Sequence, residues 1–141
     1  MATYHLAYQL ANKYAVISVN KDLNPVFLRA IKEAGCYERM TSMRAIGKPL
    51  KIPLEDFYTP EELEEEIIKI AKKQIEEEGA QLLVIACTVI FLFLKPGARE
   101  RLMRKLGIMV VDLQEIAIKT AEMIVNLGLS HSKIEYPQIE P

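Results

Sequence analysis

The pair Cys87-Thr88 is the part of this chain best suited to do chemistry. It ends an apolar run, Gln-Leu-Leu-Val-Ile-Ala over 81–86, so a thiol and a hydroxyl leave a buried segment together. A thiol with an ordinary pKa of about 8.5 becomes a base or nucleophile when oriented backbone N–H groups favour the thiolate. A buried structural cysteine fits the same pattern, because free Cys is among the most buried residue types. Cys36 follows Gly35 past a predicted helix end and reads as structural. Asp112 stands between a predicted strand and a helix, where N-capping is the default and ligand contact the alternative. His5, on the first predicted helix, reads as satisfied or solvated, and His131 in the polar tail is assigned no role. The acidic run from Glu61 to Glu66 falls in the first turns of a helix, where carboxylates favour the dipole. Lys69, Lys72 and Lys73 balance it, so it reads as a solvated face and not as a metal site.

The elements that must position these groups follow from periodicity. Residues 1–12 place Tyr4, Ala7, Tyr8 and Ala11 on one helical face, and 14–19 reads as a buried strand. Asn20 to Asn24 is a polar loop, and Pro25 suits the first turn of a helix running to Ala34, stopped by Gly35. Residues 39–46 form a weaker strand pattern, with Met40, Ser42 and Arg44 alternating against Thr41, Met43 and Ala45. Gly47, Pro49 and Pro53 make a loop. Thr59, Pro60 and Glu62 form a capping box for a helix to Glu78, stopped by Gly79, with Leu63, Ile67, Ile70, Ala71 and Ile75 inward.

The run 82–94 is too short to span a bilayer, which takes about 20 apolar residues, and reads as a strand continuing into an apolar loop. A helix over 98–106, a strand over 108–111 and a helix over 113–127 follow, the last with Ile116, Thr120, Met123 and Leu127 on one side. Strands alternating with helices imply a parallel sheet joined by right-handed crossovers, a flavodoxin-like three-layer α/β domain of about four strands over 1–128. Residues 129–141 read as an extended arm. In such sheets ligands bind outside the carboxyl ends of the strands, which directs attention to Ser18, Asn20, Cys87, Thr88 and Asp112.

Composition bounds the rest. Charged residues number 18 Lys+Arg against 19 Asp+Glu, a net of −1, which argues against the basic stripe of a nucleic-acid binder. The 50% hydrophobic and 26% charged fractions are those of a globular domain. Two distant cysteines without a CxxC pattern argue against structural zinc and for a reducing compartment such as the cytoplasm. The start at Met1 lacks a basic segment before an apolar stretch, so no secretory signal is read there.

Several stretches together resemble the aspartate/glutamate/hydantoin racemase family, in particular its hydantoin racemases. Glu78-Gly79-Ala80 followed by Leu83-Val84-Ile85-Ala86-Cys87-Thr88 resembles the family segment that carries one of its catalytic cysteines. Gly107 to Asp112 is similar to the family's "lGvPVID", and Ala117 to Glu122 with Leu127 to Ser130 resembles its final helix and tail. Ser42 to Ile46 resembles "svRai", and His5-Leu6-Ala7 with Tyr14 to Ser18 resembles the opening of the family's second half.

The resemblance implies one lobe, the C-terminal one, of a two-lobe enzyme whose cleft holds one cysteine from each side. It implies cofactor-independent racemisation of an amino acid or hydantoin, one thiolate removing the Cα proton and the other thiol returning one to the opposite face. Cys87 would be one of the two, with Thr88 and the N–H of Val89 binding substrate oxygen and Ser18 and Asn20 contacting the ligand from the next strand. The second cysteine belongs to the family's other lobe. Val89 stands where the family has glycine, and Met109 where it has proline. A single-cysteine decarboxylase of malonate-like acids, and a non-catalytic binding or oligomerising lobe, are the alternatives. Without its partner lobe, Tyr4, Tyr8 and 90–94 are expected to face water. The expected partners are therefore a small amino-acid-like substrate and either a second copy of this chain or a separate N-terminal-lobe chain, with no nucleic acid and no membrane.

Overall fold

The computed structural model describes residues 1–48 and 57–135. Pro49 and Pro53 of the predicted loop and residues 136–141 of the predicted arm lie outside the described residues. The elements in chain order are α1 (Ala2–Leu10), β1 (Tyr14–Ser18), α2 (Asn24–Glu33), β2 (Met40–Ala45), α3 (Pro60–Glu78), β3 (Leu82–Ile85), α4 (Thr88–Phe93), α5 (Ala98–Leu106), β4 (Met109–Asp112) and α6 (Leu113–Asn126). The four strands form one parallel sheet in the order β2-β1-β3-β4.

Both faces of the sheet are covered, and strand alternation sorts the core into two halves. Ala15, Ile17, Leu83, Ile85 and Val110 meet Leu63, Ile67, Ala71 and Leu102 of α3 and α5. Tyr14, Val16, Leu82, Val84 and Val111 meet Tyr4 and Ala7 of α1 and Ile31 of α2. The capping box forms as predicted: the Thr59 side chain accepts from Glu62 N–H while Glu62 accepts from Thr59 N–H, and Gly79 closes α3 in the left-handed conformation at φ 74°.

Three expectations are corrected. The segment after Cys87 is not a loop but the short helix α4, whose Ile90 is fully buried and which leads to a buried Leu94. Tyr4 is buried as well, Tyr8 is half-buried, and within 90–94 only Leu92 stands in solvent. The apolar surface expected on α1 and 90–94 is therefore largely consumed by the domain's own core. Secondly, β2 does not alternate simply. Tyr14 pairs with Met40 but Val16 with Met43, a bulge that turns Met40 and Met43 to the same side of the sheet. Gln74 on α3, fully buried, fills the irregularity by donating to Val16 O at 3.2 Å and to Ser42 Oγ at 2.9 Å. Thirdly, Met123 and Leu127 of α6 are exposed although Ile116 and Thr120 on the same side are half-buried. Among the described residues no helix is long and apolar enough to cross a membrane.

Candidate active site

The strand order places a crevice. From β1 the chain crosses to β2 on one side, whereas β3, the neighbour on the other side, leads on to β4. The carboxyl ends of β1 and β3 therefore bound the point where the strand order reverses, the usual ligand position in open α/β sheets. Ile17 pairs with Ile85, and Ala86 N–H donates to Ile17 O at 2.8 Å, so 18–20 and 86–88 leave the sheet side by side.

Cys87 is the residue before α4, with extended backbone at φ −152° and ψ 120°, and its side chain makes no capping hydrogen bond. It is half-buried and packs against the α3–α5 side of the core. Thr88 and Val89 open the helix, both half-buried. Ile90 N–H bonds back to Cys87 O at 3.2 Å, and the N–H groups ahead of it precede the first intrahelical acceptor. The apolar run thus has a local use: Ile90 anchors the turn in the core, and Cys87 and Thr88 ride at its rim.

Across the crevice, Ser18 is fully buried and its hydroxyl donates to Asn24 Oδ1 at 2.5 Å. Alternation along β1 turns it to the α1–α2 side, whereas Cys87 lies on the α3–α5 side, so the two share the sheet edge but not a face. Asn20 is half-exposed, and its Oδ1 accepts from Asp22 N–H at 3.0 Å, capping the turn over Lys21–Leu23. Asp112, in register with Ile85, caps α6 by accepting from Gln114 N–H at 2.8 Å.

Cys36 lies outside this edge. It is 1% exposed, its Sγ donates to Ala34 O, and burial pushes its thiol up in pKa. His5 is exposed and bonds Ala34 O at 3.0 Å. Among the described residues no three His, Cys, Asp or Glu side chains gather as a metal would need.

Sequence reading missed two supports of the site. Asn24, which holds the Ser18 hydroxyl, carried no signal beyond being a loop asparagine. The acidic run on α3 is not wholly solvated: Glu64 is 8% exposed and bonds Arg101 and Lys105 of α5. No local pattern announces a pair 37 residues apart.

The sequence model of the Asp/Glu/Hydantoin racemase family matches residues 1–121. The chain is 27% identical to a hydantoin racemase of Rhizobium meliloti, over 99% of this chain and 56% of that protein. It is 26% identical to a hydantoin racemase of Paenarthrobacter aurescens, over 94% of this chain and 52% of that protein. The solved allantoin racemase from Pseudomonas fluorescens matches with a TM-score of 0.79 and 31% identity, over 99% of this chain and 57% of that one. An allantoin racemase from Klebsiella pneumoniae, at 23% identity, shares the fold with a TM-score of 0.77, over 94% of this chain and 51% of that one. The chain thus spans about half the length of the relatives it matches. From a family match over most of its length and the parallel sheet it folds into, the chain belongs to the Asp/Glu/hydantoin racemase family.

Proposed function

We propose that the chain is the C-terminal lobe of a cofactor-independent racemase acting on a small amino-acid derivative of the hydantoin or allantoin type, with Cys87 as one of two proton-transferring thiols. The observation that carries this reading is a half-buried thiol at the reversal of strand order in a chain of the racemase family. The reaction needs a base on each side of the stereocentre. In its thiolate form Cys87 removes the proton from the carbon next to the carbonyl, and the electron pair of that bond moves into an enolate. A second thiol, from the facing lobe, delivers its proton to the opposite face, and the product is the antipode.

The enolate oxygen needs donors set in place before charge develops. The N–H groups of Thr88 and Val89 and the Thr88 hydroxyl supply them at the start of α4. Val89 narrows the space beside that oxygen, which favours a planar, compact substrate group. On the other side of the crevice, Asn20 has its carboxamide oxygen occupied by Asp22 N–H, leaving its NH2 for a substrate oxygen. Ser18, tied to Asn24, fixes the loop from which Asn20 projects. A thiol-dependent site works only when reduced, which suits the cytoplasm.

The test is Cα hydrogen–deuterium exchange in D2O, followed by NMR, on an enantiopure 5-monosubstituted hydantoin and on allantoin. Exchange by one thiol needs no inversion, so it reports Cys87 separately from a second lobe. Wild type should accelerate exchange over buffer, and Cys87→Ser should reduce the acceleration at least 100-fold. Equal exchange by wild type and Cys87→Ser would remove Cys87 from the chemistry.

A further inference from the structure

Two asparagines stand where β1 leaves the sheet, and each has its carboxamide oxygen already taken. Asn20 Oδ1 accepts from Asp22 N–H at 3.0 Å. Asn24 Oδ1 accepts from the hydroxyl of Ser18 at 2.5 Å, and Ser18 is fully buried at the end of β1. A carboxamide held by its oxygen presents its NH2 on the other branch, as a donor of fixed direction. Among the described residues neither NH2 group donates to a protein acceptor, and neither is a buried donor without a partner, so both reach solvent. The turn between the two residues is closed by its own backbone. Leu23 N–H donates to Asn20 O at 3.1 Å, and Asn24 N–H donates to Lys21 O. Asn24 then opens α2, with Pro25 next to it. Two donors are therefore held in place before any ligand arrives, which removes the ordering cost that a freely turning loop side chain would bring to binding.

We propose that Asn24 is a further substrate-binding residue, and that its NH2 and that of Asn20 together hold the ring urea carbonyl of a cyclic ureide, the oxygen between the two ring nitrogens. The class of ligand rests on the racemase reading above, whereas the pair of donors rests on the hydrogen bonds of the turn. A hydantoin ring carries two carbonyls. The one beside the stereocentre goes to the donors at the start of α4, because its oxygen becomes the enolate oxygen. The other lies across the ring from there. β1 and β3 are neighbours in the sheet, and neighbouring strands run about 4.8 Å apart. A planar ring laid over the crevice with its reacting carbon at Cys87 on β3 therefore carries its second carbonyl toward the end of β1. A carbonyl oxygen has two lone pairs, one for each NH2. Ser18 acts through Asn24 as a positioning residue, from the α1–α2 side of the sheet. A free amino acid has no such carbonyl and leaves both donors without a partner, so the pair favours a cyclic ureide over an amino acid.

NMR titration of the 15N-labelled chain with 5-methylhydantoin and with 5-methyl-2-thiohydantoin tests it. The second compound has sulfur, a weaker acceptor, in place of the ring urea oxygen. With the oxygen compound the side-chain NH2 resonances of Asn20 and Asn24 should shift, and it should bind about tenfold more tightly than the sulfur compound. Asn24→Asp keeps an acceptor for the Ser18 hydroxyl and removes the NH2. It should melt at the wild-type Tm, bind 5-methylhydantoin about tenfold more weakly and leave the two compounds within about twofold of each other. Asn126→Asp, at the exposed end of α6, should bind as wild type does. Wild-type affinity in Asn24→Asp overturns the proposal, as does the absence of any shift at both asparagine side chains with millimolar 5-methylhydantoin. Cys87→Ser separates this inference from the proposed reaction, because it should keep both the shifts and the affinity. Exchange that depends on Cys87, alongside wild-type affinity in Asn24→Asp, strikes the binding pair alone. Shifts and affinity that depend on Asn24, alongside exchange that ignores Cys87, support the pair and strike the reaction alone.

Discussion

Arg101 on α5 grips Glu64 on α3 with two donors, Nη2 at 2.8 Å and Nε at 3.1 Å from Oε2. The same guanidinium donates to Pro96 O at 2.6 Å and Lys95 O at 3.3 Å. One side chain therefore ties two helices to the turn through which α4 returns. Since α4 begins at Thr88, beside Cys87, the pair also fixes the frame of the candidate site.

Glu64→Gln should destabilise the domain by about 1–2 kcal/mol in urea denaturation, because it leaves two cations facing a neutral amide at a nearly buried position. The hydrogen bond from Arg101 and that from Lys105 hold the Glu64 carboxyl below its ordinary value of 4.5 against the opposing effect of burial. A carboxyl with a lowered folded pKa contributes stability that is complete above the unfolded value and fades as pH falls through the folded one. Thermal melts between pH 6 and pH 3 should show wild type losing Tm below about pH 4.5 more steeply than Glu64→Gln. Parallel profiles would mean that the pair has no linkage to folding.

The two thiols should separate on exposure. Cys36 is 1% exposed and its thiol is pushed up by burial, whereas Cys87 is half-buried at the sheet edge. Iodoacetamide near neutral pH should label Cys87 at least tenfold faster than Cys36, read by peptide mass spectrometry, with Cys36 labelled only in denaturant. Preferential labelling of Cys36 in the native protein would contradict this structure.

Gln74 should matter more than a polar helix residue ordinarily does. Gln74→Ala removes both donors that satisfy Val16 O and Ser42 Oγ and opens a cavity at the bulge. We expect a loss of about 2–4 kcal/mol in urea denaturation. A loss below about 0.5 kcal/mol would show that Val16 O finds another donor.

Ile90→Ala should cost about 3 kcal/mol, since the side chain is fully buried between α4 and the sheet. It should also change the labelling rate of Cys87, because Ile90 anchors the turn that begins there. An unchanged rate alongside the stability loss would uncouple the anchor from the thiol.

Much of the architecture was legible in the sequence because it rests on local rules. The apolar strands at 14–18 and 82–85, the capping box at Thr59 and the stop at Gly79 each follow from neighbours within a turn or two. Alternating elements then leave few parallel topologies, and the candidate edge at Cys87 and Thr88 falls where those rules put it. Residues 90–93 are helical rather than a loop: a short apolar run suits a strand, a loop or a buried helix equally, and only the packing of Ile90 and Leu94 into the α3–α5 side of the core selects helix. The bulge in β2, the Gln74 that fills it and the Glu64–Arg101 pair join residues far apart in the chain, so periodicity carries no trace of them. Periodicity in the sequence set Ile116, Thr120, Met123 and Leu127 on one side of α6. Only the tertiary structure decided that Ile116 and Thr120 are half-buried while Met123 and Leu127 stay exposed, because burial depends on where α1 and β4 lie and on how far they reach along the helix.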